Sequence, residues 1–324
     1  MLRSSSWPIL AALAGAAAVV VAAALAVGSV EVGPAAVWRA LAGDATDPAS
    51  AVVRELRLPR ALAAFAVGGL LAVAGGMMQV LLRNPLADPY VLGLSGGAAC
   101  GALAALLLGA AAFVMPAAFA GATVSTLVVF GLARSDGAWS STRLLLTGVV
   151  VAAGWGALIM LLLAIAPDAQ VRGMLFWLIG DLSGATHGAH ALWALAGVLL
   201  AALPLARDAT LLARGEITAA TLGVPVRNVS LALHALAAAA TAVAVTVAGS
   251  VGFVGLVVPH AVRLVVGNDQ RVLLPASALA GGALLVLADT LARTIVAPAQ
   301  LPVGVLTALA GVPMFLWLLR RSPA

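Results

Sequence analysis

RELRLPRALAAFAVGGLLAVAGGMMQ, residues 54–79, puts three arginines into its first seven positions and then carries no charge as far as Arg83. A bilayer core about 30 Å thick is crossed by about 20 apolar residues in a helix, so the uncharged part is of span length. Pro59 suits a first helical turn, where its missing N–H costs nothing. Runs of the same kind recur throughout the 324 residues, of which 63% are hydrophobic and 9% charged, against about 25% charged in soluble domains. In lipid only helices and closed barrels satisfy their own backbone. Continuous runs of Ala, Leu and Gly lack the alternation of a barrel strand. The sequence therefore specifies an all-α, polytopic transmembrane helical bundle.

Apolar runs between charges, prolines and turn residues predict ten spans. They lie near residues 7–27, 59–81, 91–110, 114–133, 143–166, 191–206, 228–249, 251–267, 272–292 and 303–320. An even number puts both termini on one side. The first run is of span length and VGSVEVG after it is a poor cleavage site, so it reads as a span rather than a signal peptide. Residues 28–57 read as a polar loop containing Asp44, Asp47 and Pro48. Residues 167–190 are too broken to span and suit a short surface helix around 174–179. Residues 207–227, RDATLLARGEITAATLGVPVR, are the most charged internal segment. They suit a folded, solvent-facing loop with a short helix over 218–222, stopped by Gly223 and Pro225. A single transmembrane domain is expected over residues 1–324.

All 17 basic residues are arginine. Without lysine the chain cannot write a Gly-Lys-Ser/Thr phosphate loop or form a lysine Schiff base, so any ATP that drives it binds another subunit. The lone Cys100, in an apolar Gly/Ala setting, allows neither an intrachain disulfide nor a cysteine metal site and reads as packing. With the N-terminus inside, the cytoplasmic arginines are Arg3, Arg83, Arg134, Arg143, Arg207, Arg214, Arg227, Arg263, Arg271, Arg320 and Arg321. The outside holds Arg39, Arg54, Arg57, Arg60, Arg172 and Arg293, and this split obeys the positive-inside rule. Half of the outside set falls in RELRLPR. A fixed cationic patch at the outer mouth of a span attracts an acidic partner or an anionic solute; the plainer reading is a set of solvated loop residues.

Three stretches are similar to the permease subunits of ABC importers for iron-siderophore complexes, haem and cobalamin, and keep that family's order. They are RLPRALAAFAVGGLLAVAGGMMQVLLRNPLADPYVLGLSGGAACGA from residue 57, ARGEITAATLGVPVRN from 213, and GSVGFVGLVVPHAVRLVVGNDQRVLLPASALAGGALLVLADTLARTIVAPAQLPVGVLTALAGVPMF from 249. The resemblance implies a type II importer in a bacterial inner (cytoplasmic) membrane. Two copies of this multi-pass chain would surround a central pathway, with both termini cytoplasmic. Two ATP-binding cassette ATPase subunits would sit below and a periplasmic substrate-binding protein above. ATP and Mg would belong to the ATPase; no cofactor, metal or nucleic acid is implied for this chain.

The same resemblance implies that Arg57 and Arg60 of RLPR and Arg293 of ADTLAR meet acidic residues of the binding protein, charges that steer and orient docking. Arg54 falls outside the matching motif. It further implies that Arg214, Gly215, Glu216, Ala220, Leu222 and Gly223 belong to a coupling element of paired short helices, pushed as a rigid body when the ATPase closes. The turn RNPLADP, with Arg83, Asn84 and Pro85, reads as an inner structural turn or an ATPase contact. Gly93, Ser95, Gly96 and Gly97 open the third span almost without side chains, which suits a pathway-lining helix or a closely packed one.

The implied activity is import of an iron chelate, haem or ferric siderophore, with cobalamin as the alternative cargo. His187 and His190 are candidate cargo contacts on the outer side. His260, three residues before Arg263, reads as helix-end packing and hydrogen bonding, and His234 as a hydrogen bond within the bundle. An ion-coupled secondary transporter would place ionisable groups near mid-membrane. Here the 12 acidic residues fall in loops or at span ends, with Asp289 deepest and one helical turn from Arg293, within pairing distance. An intramembrane enzyme lacks its motif: there is no His-Glu-x-x-His, and nothing in the spacing supports a Ser95 and His260 pair.

Overall fold

The computed structural model describes residues 6–28, 32–43, 47–133, 141–185 and 188–321. Arg3, Asp44, Arg134 and His187 lie outside the described residues. Among those described, all regular structure is helical. In chain order the helices are α1 (Ser6–Ala26), α2 (Pro34–Leu41), α3 (Pro48–Ala51), α4 (Leu58–Leu81), α5 (Leu94–Leu107), α6 (Val114–Ala133), α7 (Ser141–Ile165) and α8 (Asp168–Ile179). There follow α9 (Gly188–Ala202), α10 (Ala206–Leu212), α11 (Glu216–Thr221), α12 (Val226–Ala248), α13 (Val254–Val266), α14 (Gln270–Thr294) and α15 (Val303–Arg321).

Each of the ten expected segments is helical, and seven of the resulting helices are long and apolar enough to cross a membrane. The segments of α5, α13 and α15 form shorter apolar helices. Two of these start late for a local reason. Gly93 adopts φ 69° after a tight turn over Pro89–Leu92, so the segment expected from 91 begins at Leu94. Phe253 adopts φ 68°, so the one expected from 251 begins at Val254.

Two connections differ from expectation. Residues 28–57 contain α2 and α3, and from Pro48 the chain is helical through to Leu81. Over Val52–Arg57 the turns widen, so that the Leu58 N–H donates to the Val53 carbonyl. The expected surface helix at 174–179 is α8, which starts at Asp168 and buries Met174 completely. Its C-terminal carbonyls press onto Gly249 and Gly304: a methyl on the first would strike the Trp177 oxygen, and on the second the Ile179 oxygen. The polar stretch on either side of α8 hides in sequence what two distant glycines make room for.

The core is organised on α4, which α9, α12, α13 and α14 enclose. A helix buried on all sides has no polar stripe, and α4 carries none from Ala61 to Val80 apart from the buried Gln79. Gly75 lets it meet α13 backbone to backbone, since any Cβ there would overlap the Gly255 carbonyl. By contrast α1, α6 and α7 leave most of their apolar surface uncovered by this chain.

Contacts at the two ends of α4 separate RLPR from the 207–227 loop. At its N-terminal end Arg57 and Arg60 reach the end of α1 and the last turns of α14. At its C-terminal end the Arg83 guanidinium lies 3.9 Å from the Glu216 carboxylate of α11. At the start of α14 the Gln270 N–H donates to the Thr210 hydroxyl of α10 at 3.0 Å. RLPR and the 207–227 loop thus sit at opposite ends of a 24-residue helix, about 36 Å apart at 1.5 Å per residue.

Candidate functional site

The three arginines of RELRLPR have different fates. Arg54 is exposed and donates to the Gly43 carbonyl at 2.8 Å. Arg57 and Arg60, three residues apart on one helix face, turn inward and are 4% and 9% exposed. Arg293 joins them at 8%. The expectation of an exposed patch is corrected here, and the reason is local. The last carbonyls of a helix have no intrahelical donors and carry partial negative charge. Arg57 Nη1 donates to the Leu25 and Ala26 carbonyls that end α1, at 2.8 and 2.7 Å. Arg293 Nη2 donates to the Ala24 carbonyl at 3.3 Å and to the Thr290 hydroxyl at 3.2 Å.

Asp289 supplies the rest of the pull. Arg60 Nε lies 3.0 Å from both carboxylate oxygens and Nη2 2.8 Å from Oδ1, while Nη1 donates to Gln300 Oε1 at 2.8 Å. Arg293 Nε is 3.3 Å from Asp289 Oδ2, close enough for ion pairing but out of line for a hydrogen bond, and no other acceptor meets it. The expected pair between Asp289 and Arg293 is therefore present. The stronger bond to Arg60 joins residues 229 apart in sequence, and no local pattern announces it. Arg60 and Arg293 share one carboxylate while Arg57 sits on the α1 carbonyls, which leaves a cluster of excess positive charge.

At the other end, α10 and α11 form a compact pair of short helices. Gly215 at φ 121° and Gly223 at φ 82° bracket α11 in conformations that side chains resist. Ala219 and Val224 point inward. Arg214, Glu216, Ala220, Leu222 and Gly223 are exposed, with Gly215 half-buried. Sequence reading missed Ile217, which is 83% exposed beside Leu222 at 56%. Ile217 on α11 and Leu222 just past its end are thus two large apolar side chains that this chain leaves uncovered. The Arg83 and Glu216 pair is about half exposed on both sides, and such pairs contribute about 0–1 kcal/mol.

The 83–90 turn is tied from within. Arg83, Asn84 and Pro85 are exposed, and Asn84 Oδ1 accepts from the Leu86 N–H at 2.9 Å. Asp88 Oδ1 accepts from the Tyr90 N–H at 2.8 Å. The Tyr90 hydroxyl donates to the Val251 carbonyl and accepts from its N–H, at 3.1 and 3.0 Å. This turn therefore pins the start of α13. Burial pushes the Asp88 carboxyl up to about 6, against the opposing pull of its bond to Tyr90.

A carboxyl raised on folding favours the folded state below its unfolded value, near 4, and loses that contribution as pH climbs through 6. The loss is at most about 3 kcal/mol, reduced by partial exposure. Asp88→Asn keeps the acceptor and removes the charge. The variant should gain several degrees of thermal midpoint over the parent at pH 7.5 and little at pH 4.5; an equal gain at both would refute the burial account.

The glycine-rich opening of α5 is closely packed. A methyl on Gly96 would sit 2.7 Å from Trp155 Cβ, and one on Gly97 would overlap the Gly121 carbonyl. Gly93 offers its carbonyl to the Ser125 hydroxyl at 2.8 Å, which accepts from Trp155 Nε1 at 2.9 Å. Ser95 is half-buried. Cys100 is buried, its Sγ 3.5 Å from the Trp155 carbonyl. His234 Nδ1 lies 2.7 Å from the Ser230 carbonyl and its ring stands edge-on to Phe130, as a bundle histidine should. His260 is buried without a hydrogen-bond partner on either ring nitrogen, so its expected hydrogen bond is missing. His190 is exposed near the start of α9. Among the described residues no three His, Cys, Asp or Glu side chains gather closely enough to hold a metal ion.

An apolar multi-helix body with an arginine cluster at one end and a pair of short helices at the other is the architecture of an integral membrane protein. The FecCD transport family model matches residues 16–321, and the chain belongs to that family. It is 45% identical over 280 residues to the cobalamin import system permease protein BtuC of Halobacterium salinarum, covering 85% of this chain and 74% of that one. It is also 45% identical over 278 residues to the hemin transport system permease protein HmuU of Yersinia pestis, covering 83% of each. Among solved structures, an inward-facing metal-chelate type ABC transporter superposes with a TM-score of 0.84 at 28% identity, covering 98% of this chain and all of that one. The chain is the permease subunit of a type II ABC importer, a transport component and not an enzyme.

Proposed function

We propose that this chain, as a homodimer of ten-span subunits in the inner (cytoplasmic) membrane, moves a bulky metal chelate from a periplasmic binding protein into the cytoplasm. Cargo enters a largely apolar passage at the dimer axis, and closure of two ATPase subunits, felt through residues 207–227, switches that passage inward. The observation that carries the reading is the opposition of two partner-seeking surfaces. Arg57, Arg60 and Arg293 gather at one end of α4, the last two on a single carboxylate, and Ile217 and Leu222 stand exposed at the other. Excess positive charge suits the acidic groups of a docking protein, and an apolar plug suits a cleft in an ATPase.

For the cargo, the expectation of an iron chelate narrows to haem, with cobalamin kept beside it. Relatives at equal identity are named for hemin and for cobalamin, both metal complexes of tetrapyrrole macrocycles. The test is uptake by vesicles containing permease, ATPase and binding protein, offered labelled haem, cobalamin or a ferric siderophore. ATP-dependent accumulation of haem or cobalamin is expected. Accumulation of the siderophore alone would move the assignment to that class, and uptake indifferent to ATP would remove the importer reading.

A further inference from the structure

We propose that Asp289 is a positioning residue of the outer surface: it holds Arg60 and Arg293 inward as an internal counter-ion, and a partner carboxylate engages them by exchange with it. The inference rests on the reading that an acidic binding protein docks at these arginines.

The hydrogen bonds leave little room for simple addition. Arg60 spends Nε and Nη2 on Asp289 and Nη1 on Gln300. Its side chain is 11% exposed and that of Asp289 2%, so an incoming carboxylate meets a guanidinium that is already occupied. Arg293 is equally buried, and its Nε has the Asp289 charge nearby without an aligned acceptor. Asp289 spends both oxygens on Arg60 and leaves Arg293 Nε without an aligned bond. A second carboxylate completes the set only if the bidentate pair opens. Arg57 differs, because it donates to the carbonyls that end α1. Asp289 therefore sets how tightly the outer end binds acid through Arg60 and Arg293, while Arg57 answers to α1.

The consequence runs against the behaviour of a simple scaffold. If Asp289 only braced the site, neutralising it would loosen the arginines and weaken docking. As an internal competitor, its neutralisation leaves two buried guanidiniums short of an anion, and an external carboxylate gains what Asp289 gave up.

The experiment measures binding of the importer's purified substrate-binding protein to the full-length permease in nanodiscs. Asp289→Asn should tighten binding about tenfold, an increase a bracing residue cannot produce, and Asp289→Glu should return it to the parent value. The partner should raise the thermal midpoint of Asp289→Asn more than that of the parent. Gln300→Ala, at an exposed position, frees one Arg60 N–H without touching the ion pair. It should tighten binding two- to threefold, and it decides the matter if Asp289→Asn does not fold. Unchanged or weakened binding in Asp289→Asn and in Gln300→Ala overturns the proposal. Arg57→Gln, which leaves the Arg60 and Asp289 pair in place, separates the two readings. If that neutralisation weakens binding while neutralising Asp289 fails to strengthen it, the exchange alone is wrong; if it changes nothing, docking at the cluster falls with it.

Discussion

Arg60→Glu destabilises the permease by about 3–5 kcal/mol, the range for removing one partner of a buried ion pair, while Arg54→Glu, six residues earlier, changes stability by less than about 0.5 kcal/mol. The contrast follows from position. Arg54 sits in solvent with one backbone acceptor. Arg60 lies in the core end of α4, bidentate to Asp289. Glutamate at 60 would face Asp289 with only Arg293 to neutralise both. The charge-swapped double variant, Arg60→Glu with Asp289→Arg, should recover at least about 2 kcal/mol of the loss, as contacting residues couple by about 0.5–3 kcal/mol. The measurements are thermal midpoints in one detergent, arranged as a double-mutant cycle. Equal loss from Arg54→Glu and Arg60→Glu would show that the outer ion pair does not tie α4 to α14.

The second large effect belongs to the opposite face. Ile217→Asp with Leu222→Asp should reduce ATP-driven uptake by at least about a hundredfold and leave the thermal midpoint of the isolated permease within a degree or two. Both side chains are exposed in this chain, so the isolated fold loses no core. In a complex, two carboxylates would enter a covered apolar contact without partners, and burying an unpaired charge costs several kcal/mol. The ATPase subunit should accordingly fail to copurify with the double variant. Uptake and copurification that survive the change would remove α11 from the ATPase contact. A collapse of the midpoint would instead show that the two side chains are structural.

Much of this protein is legible in one dimension, for identifiable reasons. α4 was visible because a helix enclosed on all sides must be apolar on all sides, and nothing along the chain competes with that signal. The Asp289 and Arg293 pair was readable because positions four apart on a helix are neighbours. The short helix near 218–222 was readable from the glycine and proline that stop it. Less visible were α2 and α3, which at eight and four residues are too short to give a span-length run, and the extent of α8, whose docking depends on Gly249 and Gly304. Ile217 escaped notice because exposure is no property of an isoleucine in a string. The inward turn of Arg57 and Arg60 was hidden for a related reason. A cluster of arginines reads as solvated unless the acceptors that would draw it in are known, and those acceptors lie on α1 and α14.

The sequence by itself determined that the chain lives in a bilayer as helices, where its apolar helices run, that it carries no lysine for binding a nucleotide, and, through three long motifs, its kinship with importer permeases. Apolarity and local helical spacing are properties of contiguous residues, so they survive without coordinates. Only the tertiary structure decided that Arg57, Arg60 and Arg293 are tethered rather than free, that Asp289 belongs to Arg60 as much as to Arg293, and that α11 displays Ile217. Each of these depends on groups brought together from distant parts of the chain, and buried electrostatics depends on all the neighbours of a charge at once.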